Sequence, residues 1–298
     1  MRRAEGGSRR RRLLQGVLAL LTATSAWAAP ASSSGVAPKP AQSGATCQHP
    51  VYLTFDTGHM GVATLIADVL KRQQVHVTFF LASERTRAVG DRPEGTTLDE
   101  HWAPWWKAMA AQGHDFGSHT WDHLIWRKDT PTGFAFRPTA GPKNGQTVAL
   151  TPPEYCEELA RSAQRFQAMT GQPMRAIFRA PAGKTSPKLL AAARACGWHH
   201  VPWTAAGFLG DELPSDRYPN DQLLRQALAK VREGDILLAH LGIWSRQEPW
   251  APSVLEPLIV GLKAKGLCFA TLRDHPDYRG VGNAPRASDA QVTYATEH

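Results

Sequence analysis

Residues 51–81 read VYLTFDTGHMGVATLIADVLKRQQVHVTFFL. Val51 to Phe55 is rich in apolar, β-branched and aromatic residues and predicts a buried strand. Gly61 to Gln73 then sets Val62, Leu65, Ile66, Val69 and Leu70 on one face at helical spacing. Val77 to Leu81 is strand-like again. A strand, a helix and a second strand at this spacing form one βαβ unit, and the crossover makes the two strands parallel.

The rhythm continues outward. Ala103–Gln112 predicts a tryptophan-rich helix and Asp115–Ser118 a short strand. Arg127–Pro152 is polar, broken by several Pro and Gly residues, and predicts a long loop inserted over one rim. Helices follow over Glu154–Thr170, stopped by Gly171, over Ser186–Cys196, opened by Ser186-Pro187 and stopped by Gly197, over Asp221–Val231, and over Val254–Lys265. Between and after them come strands over Ala176–Arg179, Trp198–Thr204, Asp235–His240 and Leu267–Leu272. Seven strands alternating with helices describe a parallel α/β fold. An open doubly wound sheet and a closed barrel both fit, and in both the chemistry gathers at the C-terminal strand ends. Those ends carry reactive groups: Asp56 on the first strand, His119 on the third, then Arg179, Trp203 and His240.

The N-terminus follows other rules. Arg2, Arg3 and Arg9 to Arg12 precede a short apolar run, Leu13 to Ala23, and Ala26-Trp27-Ala28 fits a small-x-small cleavage pattern. These features predict a signal peptide over residues 1–28, with an apolar run too short for a stable membrane span once cleaved. Residues 29–46, rich in Ala, Ser, Pro and Gly, predict a flexible linker. The globular domain is expected over 47–278, with a flexible tail over 279–298. An exported chain of this kind is periplasmic or secreted. Six Arg and one Glu in the leader take the formal charge of +8 down to about +3 for the remainder, which shows no basic stripe. The composition therefore argues against a nucleic-acid partner.

His119-Thr-Trp-Asp-His123 places two histidines at i and i+4, a spacing that lets both face one metal from a single helical turn. Alone it is a weak signal. Together with Thr54-Phe-Asp-Thr-Gly58, Arg179-Ala-Pro-Ala-Gly183 and Leu238-Ala-His240, in that order, it resembles the polysaccharide deacetylase family, carbohydrate esterase family 4. The resemblance spans roughly residues 50 to 273 and implies a distorted (β/α)7 barrel, TIM-barrel-like. It implies a hydrolase that removes N-acetyl groups from amino sugars of an envelope or extracellular glycan. His119 and His123 would hold a divalent metal, commonly zinc. Asp56 would be the general base, Arg179 its orienting partner and His240 the general acid. Pro181 of the third motif, with Trp203 and Trp121, is expected to line the glycan groove, since flat apolar faces suit sugar rings.

Two departures qualify this. The family pattern T-F-D-D-G has a second Asp that binds metal, and Thr57 stands in its place. His59, two residues along, is the nearest candidate for a third ligand. The carboxylate that should orient His240 is also displaced, and Asp211 is the nearest one. The alternatives are a catalytically impaired glycan-binding barrel without metal, and a hydrolase of another small amide or ester on the same fold. Four cysteines allow three pairings. In a barrel that nearly closes, Cys47 before the first strand meets Cys268 in the last, and Cys156 and Cys196 lie on successive helices.

Overall fold

The computed structural model describes residues 47–285. The expected leader and linker, and the tail from residue 286, lie outside the described residues. In chain order the elements are β1 (Pro50–Asp56), α1 (Ala63–Gln73), β2 (Thr78–Leu81), α2 (Ala103–Ala111), β3 (Asp115–Ser118), β4 (Leu124–Thr130), β5 (Gly133–Pro138) and β6 (Val148–Leu150). They continue with α3 (Pro152–Thr170), β7 (Ile177–Phe178), α4 (Pro187–Ala195), β8 (His199–His200), α5 (Asn220–Lys230), β9 (Ile236–His240), α6 (Leu255–Ala264) and β10 (Cys268–Phe269). Among the described residues no helix is long and apolar enough to cross a membrane.

Seven of these strands form one all-parallel sheet in the order β10-β1-β2-β3-β7-β8, with β9 also paired to β1. The chain after β8 then lies along β9, where Thr204 N–H donates to Ile236 O at 3.2 Å and Phe208 bridges Leu238 in parallel. The sheet thereby curls into the distorted (β/α)7 barrel that the alternation and the resemblance predict. The two-residue period of β1 sorts its side chains. Val51, Leu53 and Phe55 join the layer between sheet and helices, whereas Tyr52 joins Phe80, Ile177, Val201 and Ile236 in a separate inner cluster. Thr54 and Asp56 share the parity of Tyr52, so Asp56 enters the barrel mouth.

Helix ends follow local chemistry. Thr151 and Glu154 form a capping box at the start of α3, which Gly171 ends in the left-handed region. Ser186 caps α4, its hydroxyl accepting from Leu189 N–H at 3.0 Å. Both expected disulfides are present: Cys47 joins Cys268 with Cα atoms 5.7 Å apart, and Cys156 joins Cys196 at 6.3 Å.

The fold departs from the sequence reading in two places. The stretch expected as a loop over 127–152 is largely a three-stranded antiparallel sheet, β4-β5-β6. Phe134 and Phe136 are buried on it, and Phe136 stacks on Tyr155 of α3 at 5.3 Å. The tail expected from 279 stays bonded for several residues. Gly282 O accepts from Ala176 N–H at 2.9 Å and Ala284 N–H donates to Met174 O at 2.8 Å.

Candidate active site

Parallel register decides which residues meet. Asp56, the last residue of β1, is level with His240 of β9 and Phe80 of β2. Ser118 of β3 is level with Leu81 and with Phe178, so His119 and Arg179 leave the sheet side by side. Four of the predicted site residues thus share one rim because their strands end there.

Asp56 is buried between two partners. Its Oδ1 accepts from Arg179 Nη1 at 2.9 Å, and its Oδ2 lies 3.4 Å from His119 Nε2. Arg179 is fully buried; Nη1 also donates to Thr54 Oγ1 at 2.7 Å, and Nε donates to Val201 O at 3.3 Å. Its guanidinium sits 4.4 Å from the Phe80 ring centre. Burial pushes the Asp56 carboxyl up, but attraction to Arg179, then to His119 and His240, outweighs it and holds the group below the usual carboxylate range. Asp56 is therefore an ionised carboxylate with one oxygen tied down and the other facing the mouth.

His119 and His123 lie on a tight turn between β3 and β4, where Thr120 and His123 both have positive φ. The single helical turn expected from their spacing does not form. Thr120 Oγ1 accepts from Leu124 N–H at 2.8 Å and closes the turn instead. The rings still meet, with centroids 4.8 Å apart. His119 Nδ1 is 2.8 Å from Arg179 O and must donate to it, which leaves the lone pair on Nε2. His123 Nδ1 is hydrogen-bonded to the Thr139 hydroxyl, in the loop after β5, so the antiparallel sheet positions this ring. Burial, opposed by Asp56, takes His119 down to about 4, so it is neutral near pH 7. A neutral nitrogen lone pair and an ionised carboxylate oxygen then face each other at 3.4 Å with no proton between them. Such a pair fits a cation, and two imidazoles with Nδ1 engaged and Nε2 left over suit a divalent metal such as zinc.

His59 does not join them. Its ring packs edge-on against Trp244 at 5.1 Å, and its Nδ1 accepts from Gly61 N–H at 2.9 Å. The nitrogen that would ligate is already an acceptor, and the other carries the proton. Gly242 leaves this ring its space: a Cβ there would lie 2.3 Å from His59 Cε1. Among the described residues, no three His, Cys, Asp or Glu side chains meet closely enough to form a finished metal cage.

Asp211 meets His240 as expected. Its Oδ2 accepts from His240 N–H at 2.6 Å, and its Oδ1 lies 3.1 Å from His240 Nδ1. Burial opposes the imidazolium, but Asp211, then Asp56 and Glu212, prevail and push His240 up to about 9. His240 is thus protonated at neutral pH and presents Nε2 to a cleft of about 300 Å³ that His59, Arg87, Asp211 and Trp250 also line. Trp203 stacks over Gly183 of the third motif, where a Cβ would lie 2.6 Å from its ring, and Pro181, which opens that turn, is buried. Trp121 is partly buried beneath the Arg161 guanidinium at 4.3 Å, which leaves less of its face for a ligand.

One residue escaped the sequence reading. Glu84, in the loop after β2, sends Oε2 to Thr57 Oγ1 at 2.5 Å and to Gly58 N–H at 2.7 Å. Thr57 is not turned toward the histidines; its hydroxyl donates to Glu84 and accepts from Ala82 N–H at 3.1 Å. Its only sequence signal is a carboxylate just beyond a strand end.

The family model for polysaccharide deacetylases matches residues 43–201, a span that includes Asp56, His119, His123 and Arg179. The chain belongs to the polysaccharide deacetylase family. It is an enzyme of hydrolytic type acting on glycans. Among relatives of this deacetylase is the peptidoglycan-N-acetylmuramic acid deacetylase PdaA of Bacillus subtilis, 25% identical over 78% of this chain and 73% of that protein. Another is a chitooligosaccharide deacetylase of Azorhizobium caulinodans, 24% identical over 76% of this chain and 93% of that one. A family 4 acetyl xylan esterase from Clostridium thermocellum, solved with a cobalt ion, shares the fold at a TM-score of 0.57. It is 22% identical and covers 82% of this chain and 95% of its own.

Proposed function

We propose that this deacetylase hydrolyses N-acetyl groups on amino sugars of an envelope or extracellular glycan, with a divalent metal, zinc by its donor set, held by His119 and His123. The observation that carries the reading is the pairing of opposite protonation states across one rim. Asp56 is kept ionised and His240 is kept protonated, as a base and an acid must be at the same pH. When bound, the metal polarises the amide carbonyl and acidifies water. Asp56 Oδ2 takes the proton from the attacking water while Arg179 fixes Oδ1. A C–O bond forms, the C–N bond breaks, and His240 Nε2 gives its proton to the departing amine, so the products are acetate and a free amino sugar. Asp211 holds the imidazolium in register. Pro181, Trp203 and Trp121 are proposed to border the glycan.

The test is acetate release from N-acetylated chito-oligosaccharides and peptidoglycan fragments, with and without chelator. Asp56→Asn is expected to lower turnover by about 10²–10⁴-fold with the fold intact. Near-normal turnover would remove Asp56 from the base role. Thr57 in place of a carboxylate favours a second reading, a glycan-binding barrel without turnover, which predicts fragment binding and no acetate. We further propose export, with residues 1–28 removed. N-terminal sequencing of the protein recovered from an exporting host should begin at Ala29, and an intact Met1 would exclude it.

A further inference from the structure

The rim holds a carboxylate that the mechanism does not use. Glu84 is part-buried, and Oε2 already receives two hydrogen bonds, from the Thr57 hydroxyl and Gly58 N–H. Among the described residues it has no ion-pair partner, and its Oε1 accepts no hydrogen bond. Thr57 and Gly58 directly follow Asp56, whose Oδ2 lies 3.4 Å from His119 Nε2. The same loop is tied to the histidine turn, because Ser83 N–H donates to Trp121 O at 2.7 Å. The Glu84 carboxylate is therefore held at the base-bearing loop, and its neighbour Ser83 is tied to the His119–His123 turn.

Charge gives the reason for such an arrangement. Arg179 neutralises Asp56, and both histidines are neutral when they ligate. A dication placed there with Thr57 as third neighbour would leave two uncompensated charges in a mostly buried site, which is costly. A carboxylate from elsewhere removes one of them. We propose that Glu84 supplies the ligand carboxylate missing from the motif loop, completing a His119–His123–Glu84 site for zinc, with Thr57 recruited to hold Glu84 rather than to bind metal. The three groups do not yet form a closed cage, so binding draws Oε1 toward the two Nε2 atoms while Oε2 stays anchored. The proposal rests on the metal-dependent reading above and is separable from it.

The experiment is calorimetric titration of zinc into the full, metal-stripped protein near pH 7, with visible absorption of bound cobalt as a second readout. Wild type should bind one equivalent. Glu84→Gln keeps size and an acceptor for Gly58, and should bind zinc at least about tenfold more weakly and alter the cobalt spectrum. Adding Thr57→Asp to Glu84→Gln returns a carboxylate to the motif loop and should restore affinity, as expected if the single variant lost a ligand charge. If Glu84→Gln fails to fold by circular dichroism, Glu84→Asp takes its place, with a weaker but measurable site expected. Zinc affinity and cobalt spectrum unchanged in the folded variant, or no stoichiometric binding by wild type, would overturn the assignment. Zinc bound through Glu84 without acetate release would instead leave it standing and remove the deacetylase reading.

Discussion

His240 and Asp211 show how two residues set a working pH. The free imidazole titrates near 6.5. Here burial lowers that value, but the Asp211 carboxylate raises it further, to about 9. The proposed acid is then present from neutral pH up to about 9 and is lost above it, so the alkaline limb of kcat/KM is expected near 9. Asp211→Asn removes the dominant opposing charge and should move that limb down by one pH unit or more; a limb that stays in place would assign it to another group. The sign also holds for stability. A proton bound more tightly in the folded state stabilises it fully below about pH 6.5, and that contribution is lost as pH rises through about 9. Most of this rim was readable in advance, because Asp56, His119, Arg179 and His240 each end or directly follow a strand and parallel register then does the rest. Glu84 and His59 were not. The hydrogen bond from Thr57 to Glu84 spans 27 positions and belongs to no repeating pattern. His59 was suggested by nearness in sequence, but a Gly61 amide had already taken its lone pair.

At the scale of elements, the antiparallel sheet β4-β5-β6 was hidden by its own chemistry. β4 buries only Leu124 and carries a register shift between Trp126 and Lys128, which breaks the two-residue alternation by which strands are recognised. Gly141, Pro142 and Gly145 read as a loop and lie in the β5–β6 connection. The buried side of β5 shows what the sheet is for. Phe134 and Phe136 seat it on Tyr155, and the loop that follows brings Thr139 to His123. Phe136→Ala is expected to cost about 3–5 kcal/mol by urea denaturation, since it removes a buried ring from a packed contact. A dispensable surface loop would lose under about 0.5 kcal/mol. Thr139→Val is a subtler test. It keeps the sheet but frees the His123 ring, and should weaken zinc about 10–100-fold with little change in melting temperature.

Across the whole molecule, the two ends of the barrel divide their tasks. The C-terminal rim holds Asp56, His119, Arg179 and His240, while the opposite end holds a different set of buried charges. Asp115, at the start of β3, accepts from Arg175 Nη1 on Oδ2 at 2.9 Å and from Arg273 Nε on Oδ1 at 3.1 Å. Arg175 also donates to Val281 O at 3.0 Å and to Tyr278 O, tying the last described segment beneath the sheet. None of these groups touches the rim, so this end should affect stability and leave chemistry alone. Removing one partner of a buried ion pair costs about 3–5 kcal/mol because the other charge is left uncompensated. In Arg175→Ala, half-exposed Arg273 can still satisfy part of Asp115, so the loss should fall in the lower part of that range. For a domain of this size that is on the order of 10 °C in melting temperature. Below the transition, kcat/KM per folded molecule should match wild type, and Asp56→Asn should show the reverse, an inactive barrel that melts normally or nearly so. The comparison is decided by measuring both quantities on both variants. An Arg175→Ala protein that melts like wild type, or one that stays folded but turns over slowly, would show that the two ends are not independent.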